Sequence, residues 1–250
     1  MKTVLASFIF FTRLPFWRIT NVDARYFSHV VDYWPLVGWL TGGITAGTLY
    51  LSALVFPLHI AILTAFLVRV LITGALHEDG LADFFDGFGG GTTRDRILSI
   101  MKDSHIGTYG VISLIFYYLL LTATVSCFPV PMVLAIIFCA DTWSKFSASM
   151  VVFMLPYART AVDAKNKTVY IKPGIINVLI AFAAGALPLV CIPPVYLLSA
   201  VTSYLTAICI ILFIKKKING YTGDCCGAAF LICELMFFIS TLIIYRLTCI

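Results

Sequence analysis

Apolar residues in this chain gather into long runs, separated by short polar stretches and by turns that carry proline. Seven runs, at about residues 35–55, 60–76, 111–127, 132–154, 175–191, 195–214 and 228–245, each reach the roughly 17–25 residues that a membrane-crossing helix needs. The pattern predicts an all-α polytopic membrane helix bundle with about seven transmembrane helices, in one integral-membrane domain over 1–250. The opening run, residues 1–11, is too short to span. Its Leu5, Phe8, Ile9 and Phe11 are expected at the interface, with Arg13, Trp17 and Arg18 as headgroup anchors. Inside the first long run, Gly38-x-x-x-Gly42 and Gly43-x-x-x-Gly47 have the small-residue spacing that lets helices pack closely. Between the second and third runs, Thr92 or Thr93 is placed to cap a short helix with Asp95 in its first turn.

Composition strengthens the membrane reading. The chain is 61% hydrophobic and 12% charged, with a mean hydropathy of +1.00, which leaves no room for a separate soluble domain. The net charge of +5 is explained by topology and does not point to nucleic acid. The turns Phe56-Pro57-Leu58-His59, Phe128-Pro129-Val130-Pro131 and Ile192-Pro193-Pro194 carry no Lys or Arg. Of the 17 basic residues, 14 lie in the amino-terminal segment and in the loops after the second, fourth and sixth runs. The positive-inside rule then puts the amino terminus and those loops in the cytoplasm. The eight cysteines form no C-x-x-C and read as buried free thiols. Residues 1–15 offer no small-residue cleavage site, so no cleavable signal peptide is expected.

The chemistry concentrates at residues 77–91. This stretch holds four of the 12 acidic residues, Glu78, Asp79, Asp83 and Asp86. On a helix Asp79, Asp83 and Asp86 fall within about 60° of one another. Three like charges on one face repel unless a cation joins them, and an all-oxygen set suits Mg²⁺ or Mn²⁺. The glycines that follow, Gly89 and Gly90 among them, are expected to let the backbone approach an anion. Carboxylates, a hard metal and a pliant loop on the cytoplasmic face together point to phosphoryl-transfer chemistry.

Around this centre the candidates divide by type. His77 is two residues before Asp79 and would share its face only if the helix began at about Asp79. It and Asp103 are the candidate general bases. Lys102 is the candidate phosphate cation. Arg13, Gly89, Gly90, Arg96, Ser104, Arg159, Thr222 and Asp224 are expected to touch substrate, although Asp224 serves equally well as a helix cap. Arg69, Asp141, Lys145 and Glu234 lie inside apolar runs, where a lone charge is costly, so each is expected to face the bundle and find a partner.

Read in order, these blocks resemble a known family. His77-Glu78-Asp79-Gly80-Leu81-Ala82-Asp83, Asp86-Gly87 and Ile100-Met101-Lys102-Asp103-Ser104, with Ile106-Gly107 and Tyr109-Gly110, are similar to the cobalamin synthases, the adenosylcobinamide-GDP ribazoletransferase family. Phe11-Thr12-Arg13-Leu14-Pro15, Pro35-Leu36-Val37-Gly38, Pro156-Tyr157-Ala158-Arg159 and Tyr221-Thr222-Gly223-Asp224-Cys225-Cys226-Gly227-Ala228 with Glu234 extend the likeness over nearly the whole chain. The resemblance implies a Mg²⁺-dependent phosphotransferase of the bacterial cytoplasmic membrane, with its active site facing the cytoplasm. Such an enzyme joins adenosylcobinamide-GDP to α-ribazole or its 5′-phosphate, releasing GMP and completing the nucleotide loop of cobalamin. The partners it implies are those small molecules and the lipid bilayer. A homo-oligomer and association with other cobalamin-assembly enzymes are both left open. The chain departs from the family where Lys145 replaces a usual arginine, and at Thr160-Ala161-Val162, where a glycine is usual. Two rivals carry aspartate-rich metal motifs, the CDP-alcohol phosphatidyltransferases and the prenyltransferases. A cation transporter is a third, although the outer turns lack acids to collect cations.

Overall fold

The computed structural model describes residues 1–159 and 170–248. The described residues form an all-α membrane bundle of ten α-helices: α1 (Lys2–Phe11), α2 (Trp34–Ala53), α3 (Leu58–Thr73), α4 (Leu76–Gly90), α5 (Arg94–Lys102), α6 (Thr108–Val125), α7 (Val130–Met154), α8 (Ile175–Ala186), α9 (Leu197–Ile218) and α10 (Gly223–Thr248). The long helices α7 and α10 make the centre. From Cys139 to Val152 every residue of α7 is buried, and α2, α9 and α10 surround it. The outer faces of α3, α6, α8 and α9 expose Leu63, Leu67, Phe116, Leu119, Leu179 and Leu205, the surface that lipid covers.

All seven apolar runs are helical in the structure. Among the described residues, four helices are long and apolar enough to cross a membrane alone, α6, α7, α9 with the turn before it, and α10, and a fifth is counted if α3 and α4 are one broken span. α3 has 16 residues, and α8 continues apolar through a 3-10 turn to Cys191. α2 has 20 residues, but its glycines and threonines dilute its hydropathy.

The junction of α3 and α4 positions the site. α3 ends at Gly74 (φ 65°), and Ala75 follows in the same left-handed region (φ 56°), a conformation that costs a non-glycine residue about 1–2 kcal/mol. The two residues turn the chain by 90°. The acidic helix therefore runs across the end of the bundle instead of continuing α3. The backbone N–H of Arg13 donates to the carbonyl of Ile72 at 2.6 Å, which ties the end of α1 to this bend. Arg13 itself is exposed, and its side chain packs where a Cβ on Gly74 would stand.

Of the two small-residue spacings in α2, only one packs. A Cβ on Gly38 would lie 2.9 Å from Thr142 Cα, and one on Gly42 would lie 3.0 Å from Asp141 Cβ, so this face lies directly on α7. Among the described residues, a Cβ on Gly43 or Gly47 would meet no neighbouring element within 4 Å.

Beneath the site is a buried ionic cluster. Lys145 Nζ donates to Asp141 Oδ1, which also accepts from Thr41 Oγ1 at 2.9 Å, and Arg69 Nη1 is 3.9 Å from Asp141 Oδ2. Arg69 pairs with Glu234, and the Tyr117 hydroxyl donates to Glu234 Oε2 at 2.6 Å. The four charged side chains are at most 2% exposed, and their signs balance. The Lys145 ammonium is 4.1 Å from the centre of the Phe230 ring. That ring in turn meets His77 edge-on at 4.8 Å, so the cluster forms the floor of the site.

Candidate functional site

Close packing of α4 on α10 brings Asp79 and Asp224 to one cleft. A Cβ on Gly80 would lie 3.0 Å from the carbonyl oxygen of Asp224, and one on Gly227 would lie 3.2 Å from that of His77. Only glycines allow the two backbones this near. α10 begins five residues before the run expected at 228–245, which puts Asp224 in its first turn. Asp79 on α4 and Asp224 on α10 thus border one cleft, a pairing that spacing along the sequence does not reveal, and Asp83 lies one helical turn further along α4. Thr222 provides the cap. Its Oγ1 accepts from the Cys225 N–H at 3.4 Å and is 3.2 Å from Asp224 Oδ2.

Asp86 has a different task from the one its spacing suggested. Its Oδ2 accepts from the Gly107 N–H at 2.7 Å and its Oδ1 from the Gly110 N–H at 2.8 Å. The carboxylate caps α6 and fastens it to α4, and a side chain on either glycine would collide with it. Among the described residues, no group of three or more His, Cys, Asp or Glu is gathered closely enough to hold a metal ion by itself.

The glycine run also differs from expectation. Residues 87–90 are helical rather than a pliant loop, and Gly74 is the single described glycine with positive φ. Their bareness is used in packing. Tyr109 lies over Gly89, Met101 over Gly87, and Ile100 near Gly90.

α4 begins at Leu76, earlier than a face shared by His77 and Asp79 would require. His77 instead turns inward. It is 3% exposed, with Trp34 at 5.5 Å and Phe230 at 4.8 Å between ring centres. Both His77 and Asp79 nevertheless border one cleft at the start of α4, whose other walls are Phe11, Trp34, Tyr170, Asp224 and Gly227. Burial raises the Tyr170 phenol well above its usual range, so it stays protonated. His77 Nε2 and Trp34 Nε1 are buried and have no hydrogen-bond partner among the described residues.

A second, basic groove lies on α5, bordered by Arg94, Ser99, Lys102 and Arg159. The sequence-predicted loops meet here. Residues 156–158 pair with Tyr221 through Ala158 N–H to Tyr221 O at 2.8 Å and Tyr221 N–H to Pro156 O at 3.0 Å. Arg94 donates to the carbonyls of Ile218 and Ala158, and Arg159 donates to that of Leu98 at 2.9 Å. Met101 touches Thr222 at 3.8 Å, which links α5 to the start of α10. Arg96, Lys102, Asp103 and Ser104 are exposed. The His105 ring and backbone N–H both bond to Asp103 and hold its carboxyl below the usual carboxylate range, so Asp103 is a weak base. Arg94, Trp34 and Tyr170 were not singled out by motif, since their partners are 60 or more residues away in sequence or come from other helices. The departure expected at residues 160–162 lies outside the described residues.

Comparison with known proteins identifies the family. The family profile described as cobalamin-5-phosphate synthase matches residues 3–242. The chain is 36% identical over 245 residues to the adenosylcobinamide-GDP ribazoletransferase of Shewanella putrefaciens, covering 96% of this chain and 93% of that one. It is 35% identical over 240 residues to the protein of the same name from Shewanella oneidensis, covering 94% and 91%. No solved structure matches.

Proposed function

The chain belongs to the cobalamin-5-phosphate synthase family, and we propose that it transfers the cobinamide phosphate of adenosylcobinamide-GDP to a ribazole hydroxyl, releasing GMP, at the junction of α4, α5 and α10. The match over residues 3–242 carries this reading. The donor set fits Mg²⁺. Asp79 and Asp224 offer hard oxygens to one cleft from two crossing helices, with Asp83 a turn further along α4, and Mg²⁺ commonly takes one or two carboxylates and completes its shell with phosphate oxygens and water. When bound, the ion neutralises charge on the transferred phosphoryl group and on departing GMP.

The protein's own groups do the rest. His77 borders the same cleft as Asp79 and receives the proton of the ribazole hydroxyl, a part for which Asp103, outside that cleft, is less well placed. Lys102 and Arg159 hold the phosphates of the guanosine end in the basic groove, and Arg94 keeps the two loops there in place. With the charge-free turns outside, this end of the bundle faces the cytoplasm of a bacterial inner membrane, where soluble nucleotides arrive. The test is direct. Purified protein incubated with adenosylcobinamide-GDP, α-ribazole 5′-phosphate and Mg²⁺ is expected to release GMP and form cobalamin phosphate. If no GMP appears with either ribazole or its phosphate, the assignment is wrong.

A further inference from the structure

We propose that the cleft between α1, the start of α2, α4 and α10 seats the planar base of the ribazole, and that Trp34 is the residue that selects it. This rests on the ribazole-transfer reading above. The cleft is walled by rings. Phe11 stacks on Trp34 at 4.9 Å with planes 8° apart, and Tyr170 and His77 form further walls. Trp34 is 1% exposed and His77 3%, yet Trp34 Nε1 and His77 Nε2 have no partner among the described residues. Buried polar atoms are nearly always paired, so these two mark a place where a ligand supplies the missing atoms. Indole N–H is a donor only and requires an acceptor.

The two substrates offer different rings. A benzimidazole-type base is flat and largely apolar and presents one unsubstituted ring nitrogen, an acceptor. Guanine carries several donors and acceptors along its edge, most of which aromatic walls would leave unpaired. The cleft therefore fits the first. Its rim also has the right chemistry, because Asp79 and Asp224 border it. A base held against Trp34 directs its ribose toward His77 and those carboxylates, where the hydroxyl must lose its proton.

The experiment compares benzimidazole riboside with indole riboside, in which C–H replaces the free ring nitrogen, on the full-length protein in proteoliposomes with Mg²⁺ and saturating adenosylcobinamide-GDP. The wild type is expected to favour the nitrogen-bearing nucleoside by about tenfold or more in kcat/KM. Trp34→Phe keeps a ring against Phe11 but loses the N–H. It should bring that ratio to within about threefold of unity and leave the KM for adenosylcobinamide-GDP unchanged. The ratio is taken within each variant, so partial loss of folded protein cancels. A wild type without the preference, or a variant that keeps it, overturns the proposal and leaves Trp34 to an ordinary buried water. If Trp34→Phe does not fold, a photoreactive azidobenzimidazole riboside on the wild type decides. Labelling of residues 10–11 or 31–34 that ribazole competes away supports the proposal, and labelling confined elsewhere overturns it. A wild type that releases no GMP with any nucleoside is a different result, because it removes the ribazole-transfer reading and this assignment with it.

Discussion

Asp83 and Asp86 look alike in sequence and differ in what they touch. Asp86 gives both oxygens to the amides of Gly107 and Gly110, whereas Asp83 stands on the face of α4 shared with Asp79. Asp86→Ala is therefore expected to act on stability. Losing two charge-assisted bonds and a helix cap costs about 1.5–3 kcal/mol, read as a lower thermal midpoint in detergent. Asp83→Asn keeps the size and removes the charge. It should lower GMP release by about 100-fold or more, roughly 3 kcal/mol of barrier, while the midpoint changes little. The reverse pattern, with Asp86→Ala stable but inactive, would return Asp86 to the metal set. Asp103 gives a pH test. Its carboxyl is depressed by His105, so it is ionised throughout the neutral range, and what it adds to stability is lost only in acid as pH falls through its folded value. Asp103→Asn should leave the rate profile between pH 6 and 8 unchanged, and a shifted limb there would make Asp103 the base after all. The aspartate spacing was legible in the sequence. The partners of Asp86 were not, because they lie 21 and 24 residues away and depend on how α6 docks.

Helix packing follows the same division between what spacing shows and what a partner decides. The pairs Gly38/Gly42 and Gly43/Gly47 are indistinguishable by rule, yet only the first meets α7. Gly38→Ala places a methyl 2.9 Å from Thr142 Cα and should cost about 1–3 kcal/mol as α2 is pushed off α7. Gly43→Ala meets nothing and should be neutral or slightly stabilising, since alanine favours the helix. Equal losses of thermal stability in the two variants would show that α2 packs some other way. All the long helices could be read from their apolar runs, and their ends less well. The bend at Gly74-Ala75 falls inside a continuous apolar and polar gradient. No proline marks it, and left-handed Ala75 has no sequence signature. That bend determines whether α4 continues a span or lies across the bundle end, and so whether its carboxylates can reach Asp224.

The whole molecule combines a neutral ionic core with an asymmetric surface charge, and each has its own test. Arg69 and Glu234 are buried on separate helices, with Tyr117 completing the carboxylate's bonds. Removing one partner strands the other, so Glu234→Ala should cost about 3–5 kcal/mol, while an apolar replacement of both should recover much of that. Surface charge sets orientation. Lys and Arg are absent from three turns and concentrated in the alternate loops, a bias readable from sequence because it reflects how the chain inserts and not how it packs. His59, beside a charge-free turn, and Gly90, at the end of the acidic helix, are both exposed. In a cysteine-free background, His59→Cys should react with a membrane-impermeant thiol reagent on intact cells. Gly90→Cys should react only after the membrane is opened. Because α3 and α4 meet at a 90° bend, Gly90 reports the side on which the acidic helix lies and not only the end of α3. Labelling of position 90 from outside would therefore overturn both the orientation and a cytoplasmic route for GMP. Labelling from inside alone supports a site that opens toward the soluble nucleotide pool.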